Sequence, residues 1–293
     1  MDYAIERVES VDDFLRSTES FRNLFSMETN VIGSVGTSVA TGIRAYSECF
    51  WWVVSQGNEV VGIAMRTAPY RLVLSPMPIA AVQKLAQAVL LNDADCWGAS
   101  GPEEIAAAFI STWCELLGKR PSDFPPRMRE TIYVLDAHTP HPKVSGSGRK
   151  AGADDIDLLM NWLPAFAEEV GIYFTELNEE DLLTRMASTP IFIWEFEGRP
   201  VAMSGHAPIV IGSDGRIGRI GPVYTEPSER GNGYGAAVTS IVIDHLHSIG
   251  CTTVMLYADS NYEKSNRVYQ GLGFRPVGAI VEYGLEPATS TSP

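Results

Sequence analysis

The sequence predicts a mixed α/β fold, an α+β sheet built twice in tandem, and three observations carry that prediction. The chain has 293 residues, enough for two domains of roughly 100 to 200 residues each. One order of elements, a helix, a hairpin, a further strand and a second helix, runs through both halves. The hydrophobic share of 45% and the charged share of 20% are those of a globular chain that buries a core, not of a disordered or coiled-coil one.

In the first half, Ala4-Ile5-Glu6-Arg7-Val8 reads as a strand, and Ser10 is placed to cap a helix carrying Phe14, Leu15, Phe21 and Leu24. After a polar segment, the apolar runs 50–54 and 60–65 flank the turn Gln56-Gly57-Asn58, the pattern of a hairpin. Trp51 and Trp52 are adjacent on the first of these strands and must point to opposite faces, one into the core and the other to core, partner half or substrate. A strand at 70–74 and a helix over 79–91 follow. The Gly/Ser/Lys-rich stretch 144–150 reads as a connection and sets the expected domains at residues 1–145 and 146–293.

The second half repeats the order. Asp154 or Asp155 caps a helix with Leu158, Leu159, Trp162, Leu163 and Phe166 on its apolar side. Runs 191–196 and 201–204 flank the turn Glu197-Gly198-Arg199; a strand at 219–224 and a helix over 236–248 come next. The parallel weakens there, since the first half has no clear match for the strong strand 252–257.

Charge and cysteine usage exclude several functions. Against 36 Asp and Glu stand only 22 Lys and Arg, a net charge of −14, which argues against nucleic acid as a partner. The acidic N-terminus lacks the features of a signal peptide, and no apolar run approaches a membrane span, so the expectation is a cytoplasmic protein without a membrane partner. Cys49, Cys96, Cys114 and Cys251 are widely spaced, with no CxxC pair and no nearby histidine, and read as reduced, buried thiols. His138 and His141 lie among prolines with no carboxylate or cysteine beside them, so no metal is expected.

The most informative stretch is Gly221-Pro222-Val223-Tyr224-Thr225, followed after a Pro227 turn by Arg230-Gly231-Asn232-Gly233-Tyr234-Gly235-Ala236. A strand runs into glycines at alternate positions that open a helix. Such a loop lets backbone N–H groups approach an anion and adds the positive end of the helix dipole, which are the requirements of a pyrophosphate site. Gly231, Gly233 and Ala236 also satisfy the dinucleotide pattern GxGxxA, with Asp259 ending the next strand. Against NAD or FAD, residues 225–230 separate the strand from the glycines, and Asp259 lies beyond the roughly 20 residues that pattern requires.

Read as Arg230-x-x-Gly233-x-Gly235, the loop resembles the acyl-CoA pyrophosphate motif of the GNAT superfamily of N-acetyltransferases. A second signature follows at the right distance: Ser265-Asn266-Arg267, then Tyr269-Gln270-Gly271-Leu272-Gly273-Phe274-Arg275-Pro276-Val277. It is similar to the strand, asparagine-led helix and YxxxGF ending of that family, in a bacterial-type form whose members carry a degenerate N-terminal GNAT-like half. The resemblance covers the last third of the chain closely and the whole chain in plan.

The resemblance implies tandem GNAT-like acyl-CoA N-acyltransferase folds. Their fourth and fifth strands splay apart to admit the pantetheine arm of acetyl-CoA. The N–H of Val223 would then hold the thioester carbonyl, with Tyr224 and Thr225 beside it. Arg230, Gly231, Asn232, Gly233, Tyr234, Gly235 and Ala236 would wrap the pyrophosphate, Asn261 and Asn266 would make further polar contacts, and Tyr269 would give its proton to the CoA sulfur. His206, on the strand after the hairpin turn, is a candidate base. Glu195, Glu168 and Glu169 are weaker candidates, and a water chain is an alternative.

The first half has Leu74-Ser75-Pro76-Met77-Pro78-Ile79 at the equivalent place, with no glycine or arginine and two prolines that remove N–H groups. A single acetyl-CoA site, in the C-terminal half, is expected. The expected activity is acetyl transfer by direct attack in a ternary complex, on a small-molecule amine or the exposed amino group of a peptide, by a monomer or homodimer. The alternative is an acyl-CoA-binding regulatory module without transferase activity.

Overall fold

A computed structural model of the protein describes residues 2–140, 143–174 and 177–285, so His141 and the polar tail beyond residue 285 lie outside the described residues. The chain forms two units. Among the described residues, one holds 2–40, 45–130 and 279–285; the other holds 41–44 and those between 131 and 278.

In the first unit, the strands β1 (Ala4–Val8), β2 (Cys49–Gln56), β3 (Glu59–Thr67), β4 (Leu72–Leu74) and β5 (Gly98–Pro102) lie side by side in that order. Residues 280–284 of the last strand, Phe274–Gly284, complete this sheet by pairing antiparallel with β5. The helices α1 (Val11–Ser17), α2 (Glu19–Leu24) and α3 (Asn30–Ala40) precede the β2–β3 hairpin, and α4 (Ile79–Asn92) and α5 (Glu103–Leu117) flank β5 in sequence.

Ser10 caps α1 as expected, its hydroxyl accepting the N–H of Asp13 at 3.3 Å. The single helix expected through Leu24 is two, divided at Thr18, whose hydroxyl donates to the Phe14 carbonyl at 2.6 Å. Leu24 then falls on the solvent side, 72% exposed. Trp51 and Trp52 do point to opposite faces, and both are fully buried. Trp52 packs with Phe50, Leu85 and Phe109, and Trp51 with Phe14 and Ile32. Both are core residues.

One strand that sequence reading does not find in this half is β5, Gly-Ala-Ser-Gly-Pro, which runs parallel to β4 through Leu72↔Ala99 and Val73↔Ser100. Its glycines are dictated by crowding. A Cβ on Gly101 would lie 2.6 Å from the Leu74 carbonyl oxygen, and one on Gly98 only 2.3 Å from that of Tyr283.

The second unit holds the end of β6 (Pro126–Leu135), β7 (Ser147–Lys150), β8 (Ile191–Phe196), β9 (Arg199–His206), β10 (Val210–Gly212), β11 (Gly215–Thr225), β12 (Cys251–Asp259) and the start of β13 (Phe274–Gly284). Its sheet runs β6-β12-β11-β9-β8-β7, with β10 pairing the start of β11. The stretch expected as a plain connection, 144–150, contains β7, which pairs antiparallel with β8. Arg149 of β7 makes a bidentate pair with Asp155 at 2.6 and 2.7 Å and reaches Glu195 at 2.8 Å. That pairing ties up Glu195, one of the candidate bases.

Two layers cover this sheet. On one face α8 (Tyr234–Ser248) buries Val238, Val242 and Leu246 against Phe192, Ala202, Ile220 and Val254. On the other, α6 (Ile156–Val170) and α7 (Glu179–Ser188) bury Leu159, Trp162, Leu182 and Met186 against Ile193, Met203 and Tyr224. The helix α9 (Glu263–Gly271) follows β12.

The close approach at Gly101 predicts that Gly101→Ala lowers stability by about 1–3 kcal/mol, the usual cost of forcing an extra carbon into a filled core. Gly152→Ala, where a Cβ meets nothing within 4 Å, is expected to be near neutral. Urea unfolding of the two variants side by side measures the difference.

Candidate active site

β11 and β12 run parallel only from Arg216↔Cys251 to Ile220↔Leu256. Beyond Ile220 the two strands are no longer paired, although β12 continues to Asp259. Pro222 has no N–H to contribute there. On the other side of β11, pairing with β9 shifts register between Ile220 and Val223, then resumes as Val223↔Ser204, Tyr224↔Met203 and Thr225↔Ala202. The N–H of Glu226 donates to the Val201 carbonyl at 3.0 Å. Residues along a strand send their N–H groups alternately to either side, so Tyr224 shares the β9 side with Glu226. Val223 therefore directs its N–H to the edge that β12 has left.

A short turn, Pro227–Glu229, leads from β11 to the glycines. Gly231 and Gly233 have φ of +89° and +84°, left-handed values that favour glycine, and Gly233 is the N-cap of α8. The first bond of the helix is the N–H of Ala237 to the Gly233 carbonyl at 3.1 Å. The N–H groups of Tyr234, Gly235 and Ala236 thus lie outside the helical ladder, the arrangement that receives an anion. A Cβ on Gly235 would lie 3.0 Å from the Thr225 hydroxyl, so the glycine lets the helix start close to the strand end.

The side chains around this loop have distinct tasks. Asn232 is exposed and donates to the Glu229 carbonyl at 3.1 Å, which closes the turn. Tyr234 and Ala236 are buried, Tyr234 against Phe196 at 5.7 Å, so they offer the loop only their backbone. Arg230 donates through Nε to the Thr225 carbonyl at 3.1 Å and through Nη2 to Glu169 at 2.6 Å. Its guanidinium carbon is 6.0 Å from the centre of the Tyr224 ring. Sequence reading put Glu169 at a cleft mouth as a weak candidate base; its pairing with Arg230 carried no sequence signal, because the two residues are 61 positions apart.

Asn266 ties α9 to the end of β12, its amide nitrogen donating to the Asp259 carbonyl at 2.9 Å and to that of Ser260 at 3.3 Å. Its Oδ1 is buried without a partner. Asn261 is exposed, with its N–H held by the Asp259 carboxylate at 2.8 Å; the N-cap position of α9 belongs to Tyr262 instead. Tyr269 is 9% exposed, packed on Tyr133 at 6.4 Å and Phe274 at 6.2 Å. Burial pushes its phenol up to about 12, so it keeps its proton at neutral pH.

His206 sits elsewhere. It is 5% exposed on the face that α8 covers, with Nδ1 2.8 Å from the Ala207 carbonyl and its ring stacked 5.4 Å from His245. Burial holds its pKa below the ordinary histidine value, against the opposing hydrogen bond to Ala207 and with a smaller contribution from His245. Its Nε2 is buried without a partner, as is the hydroxyl of Ser204 two residues before it. The cysteines are all free thiols, Cys96 pushed up to about 11 by burial. Among the described residues, no group of three or more His, Cys, Asp or Glu is arranged to hold a metal, and no helix is long and apolar enough to cross a membrane.

A sheet parted beside a glycine-opened helix N-terminus defines the chain's class, the acetyltransferase fold. Within that class, residues 156–274 match the model of the Acetyltransferase (GNAT) family. A mycothiol acetyltransferase of Streptomyces coelicolor is 34% identical over 157 residues, 50% of this chain and 48% of the relative. Another, from Thermobispora bispora, is 44% identical over 63 residues, 22% of this chain and 21% of the relative. The chain thus spans half or less of the curated relatives it matches. Among solved structures, a GNAT-family acetyltransferase from Colwellia psychrerythraea superposes with TM-score 0.57 at 14% identity, covering 97% of this chain and 100% of that one. A tandem GNAT protein from the clavulanic acid biosynthesis pathway gives 0.58 at 12% identity, covering 97% and 98%. At these identities the likeness is one of fold.

The loop geometry predicts that Gly231→Val or Gly233→Val weakens acetyl-CoA binding at least about tenfold, the equivalent of roughly 1.4 kcal/mol. Both glycines are at or near the surface, so thermal melts should stay cooperative. Calorimetric titration of each variant checks the affinity; unchanged values in both would move the anion site elsewhere.

Proposed function

We propose that the protein is an acetyl-CoA-dependent N-acetyltransferase that uses a single site in its C-terminal half. The parting of β11 from β12 after Ile220 carries this reading, because it leaves the Val223 N–H aimed at an open strand edge beside the N-terminus of α8. Acetyl-CoA would lie along that edge. Its pyrophosphate would meet the N–H groups of residues 231–236 and the Arg230 guanidinium, with Asn261 and Asn266 near the pantetheine arm.

The chemistry follows from where charge develops. A neutral amine attacks the thioester carbonyl directly; the C–N bond forms and the C–S bond breaks. The Val223 N–H stabilises negative charge on the carbonyl oxygen, a contribution of the oxyanion-hole type. Tyr269, held protonated by burial, gives its proton to the departing sulfur. His206, roofed by α8, is assigned no part in the reaction, and the amine's proton leaves to water.

The acceptor is a small-molecule amine or an exposed amino group. The relatives named mycothiol acetyltransferase support acetyl transfer as the reaction class, while their matches reach only part of this chain. Cellular location in the cytoplasm and a monomeric or homodimeric state belong to the same reading. A regulatory module that binds acyl-CoA without transferring it is the second reading; it needs the loop but not Tyr269.

Release of free thiol from acetyl-CoA with an amine panel separates the two. Under the transferase reading, Tyr269→Phe lowers kcat about 10²-fold and Val223→Pro, which removes the N–H, about 10²- to 10³-fold. A full panel with no thiol above background would favour the binding module, and tight binding of NADH with none of acetyl-CoA would overturn both. Because a tyrosine pushed up to about 12 stays protonated below that pH, kcat should show no loss assignable to Tyr269 between pH 7 and about 10.

A further inference from the structure

Tyr224 follows Val223 directly, and its side chain turns to the α6 face, with the Trp162 ring 5.7 Å away. Glu169, Glu226 and Arg230 are the charged groups that bear on its phenol. Arg230 bridges two of these groups. It is held by the Glu169 carboxylate at 2.6 Å and sits 6.0 Å from the Tyr224 ring. A carboxylate beside an aromatic ring is the chemistry of a cation site, and here a cation of the protein itself fills it.

Arg230 also adjoins Gly231, the first residue of the phosphate loop, so one side chain serves two places. The Glu169 pair is partly exposed, 38% and 35%, and pairs of that kind are weak. A pyrophosphate carries more charge than one carboxylate, and the backbone donors of the loop fix it beside Arg230.

We propose that Glu169 and Tyr224 form the binding site for the ammonium group of the acceptor, a site that the Arg230 guanidinium holds until acyl-CoA draws it to the phosphates. This rests on the transferase reading. Binding is then ordered: acyl-CoA first, a cationic amine second. The ammonium gives a proton to water, its nitrogen attacks the thioester carbon, and the nitrogen of the adduct loses a second proton to water. The C–S bond breaks, the sulfur takes the Tyr269 proton, and the phenol is reprotonated from solvent, with net release of one proton.

The test uses the full chain with CoA in calorimetry and with acetyl-CoA in initial-rate assays. The acceptor is whichever of spermidine, tyramine and lysine methyl ester gives most thiol. Glu169→Gln should tighten CoA at least threefold and raise the KM for the amine at least tenfold, the fall in kcat/KM coming mainly through KM. Glu169→Asp should recover part of the amine affinity. Weaker CoA binding in Glu169→Gln, or an unchanged amine KM, overturns the proposal. If the wild type releases no thiol with any amine, the transferase reading falls and the acceptor site with it. Turnover that is indifferent to Glu169 sinks this proposal alone.

Discussion

Everything in the candidate site depends on one backbone constraint: β11 must be paired along one edge and unpaired along the other over the same few residues. An open strand edge inside a folded unit costs free energy, since its N–H and C=O groups lack partners. The structure limits that cost to a short stretch. Up to Ile220, β11 has β12 on one edge and first β10, then β9 on the other; above it, β9 alone holds the strand. Side-chain packing on both faces supports the unpaired part. Val223 packs against the α8 layer and Tyr224 against the α6 layer, so the strand is anchored above and below while its edge stays open.

The first unit shows the same plan without the opening. Its β4 ends at Leu74, and the neighbouring β5 comes so close there that only glycine fits at position 101. The segment that follows is consumed by local bonds. The N–H of Ser75 donates to the Ile63 carbonyl at 3.0 Å, and the Ser75 hydroxyl accepts the N–H of Ile63 at 2.8 Å. Met77 then fills the space against Gly62. Gly221 marks the contrast, since a Cβ there would meet nothing within 4 Å. A duplicated architecture can therefore keep its core and lose its groove through a handful of close contacts.

Much of this was legible in the sequence where a residue type has one dominant physical use. Alternating aromatic and β-branched residues disclosed both hairpins, and Ser10 disclosed its cap. The glycines at 231, 233 and 235 disclosed the turn and the start of a helix. What stayed hidden was set by tertiary context. Gly98-Ala99-Ser100-Gly101-Pro102 has neither β-branched nor aromatic residues, because its neighbours leave room for little more than backbone. β7 reads as a polar connection since it is exposed along its length. His206 has the chemistry of a base, but only the position of α8 reveals that it is roofed over. The direction of the Val223 N–H follows from a register shift, which no pattern of side chains encodes.

Charge is the remaining constraint, because an anionic ligand is assigned to a protein whose net charge is −14. Two lengths resolve the conflict. Fields from exposed charges decay over about 8–10 Å at physiological ionic strength, so most of that negative charge is screened from any one loop. Hydrogen bonds act at about 3 Å, within the reach of the free N–H groups at the start of α8. Arg230 adds little net charge of its own while Glu169 is paired with it, since the two together are neutral. On the proposed reading, the backbone N–H groups do the recognising until Arg230 leaves Glu169. That requirement explains why the loop is built from glycines, which expose N–H groups, rather than from the lysines and arginines an acidic protein could have used to offset its charge.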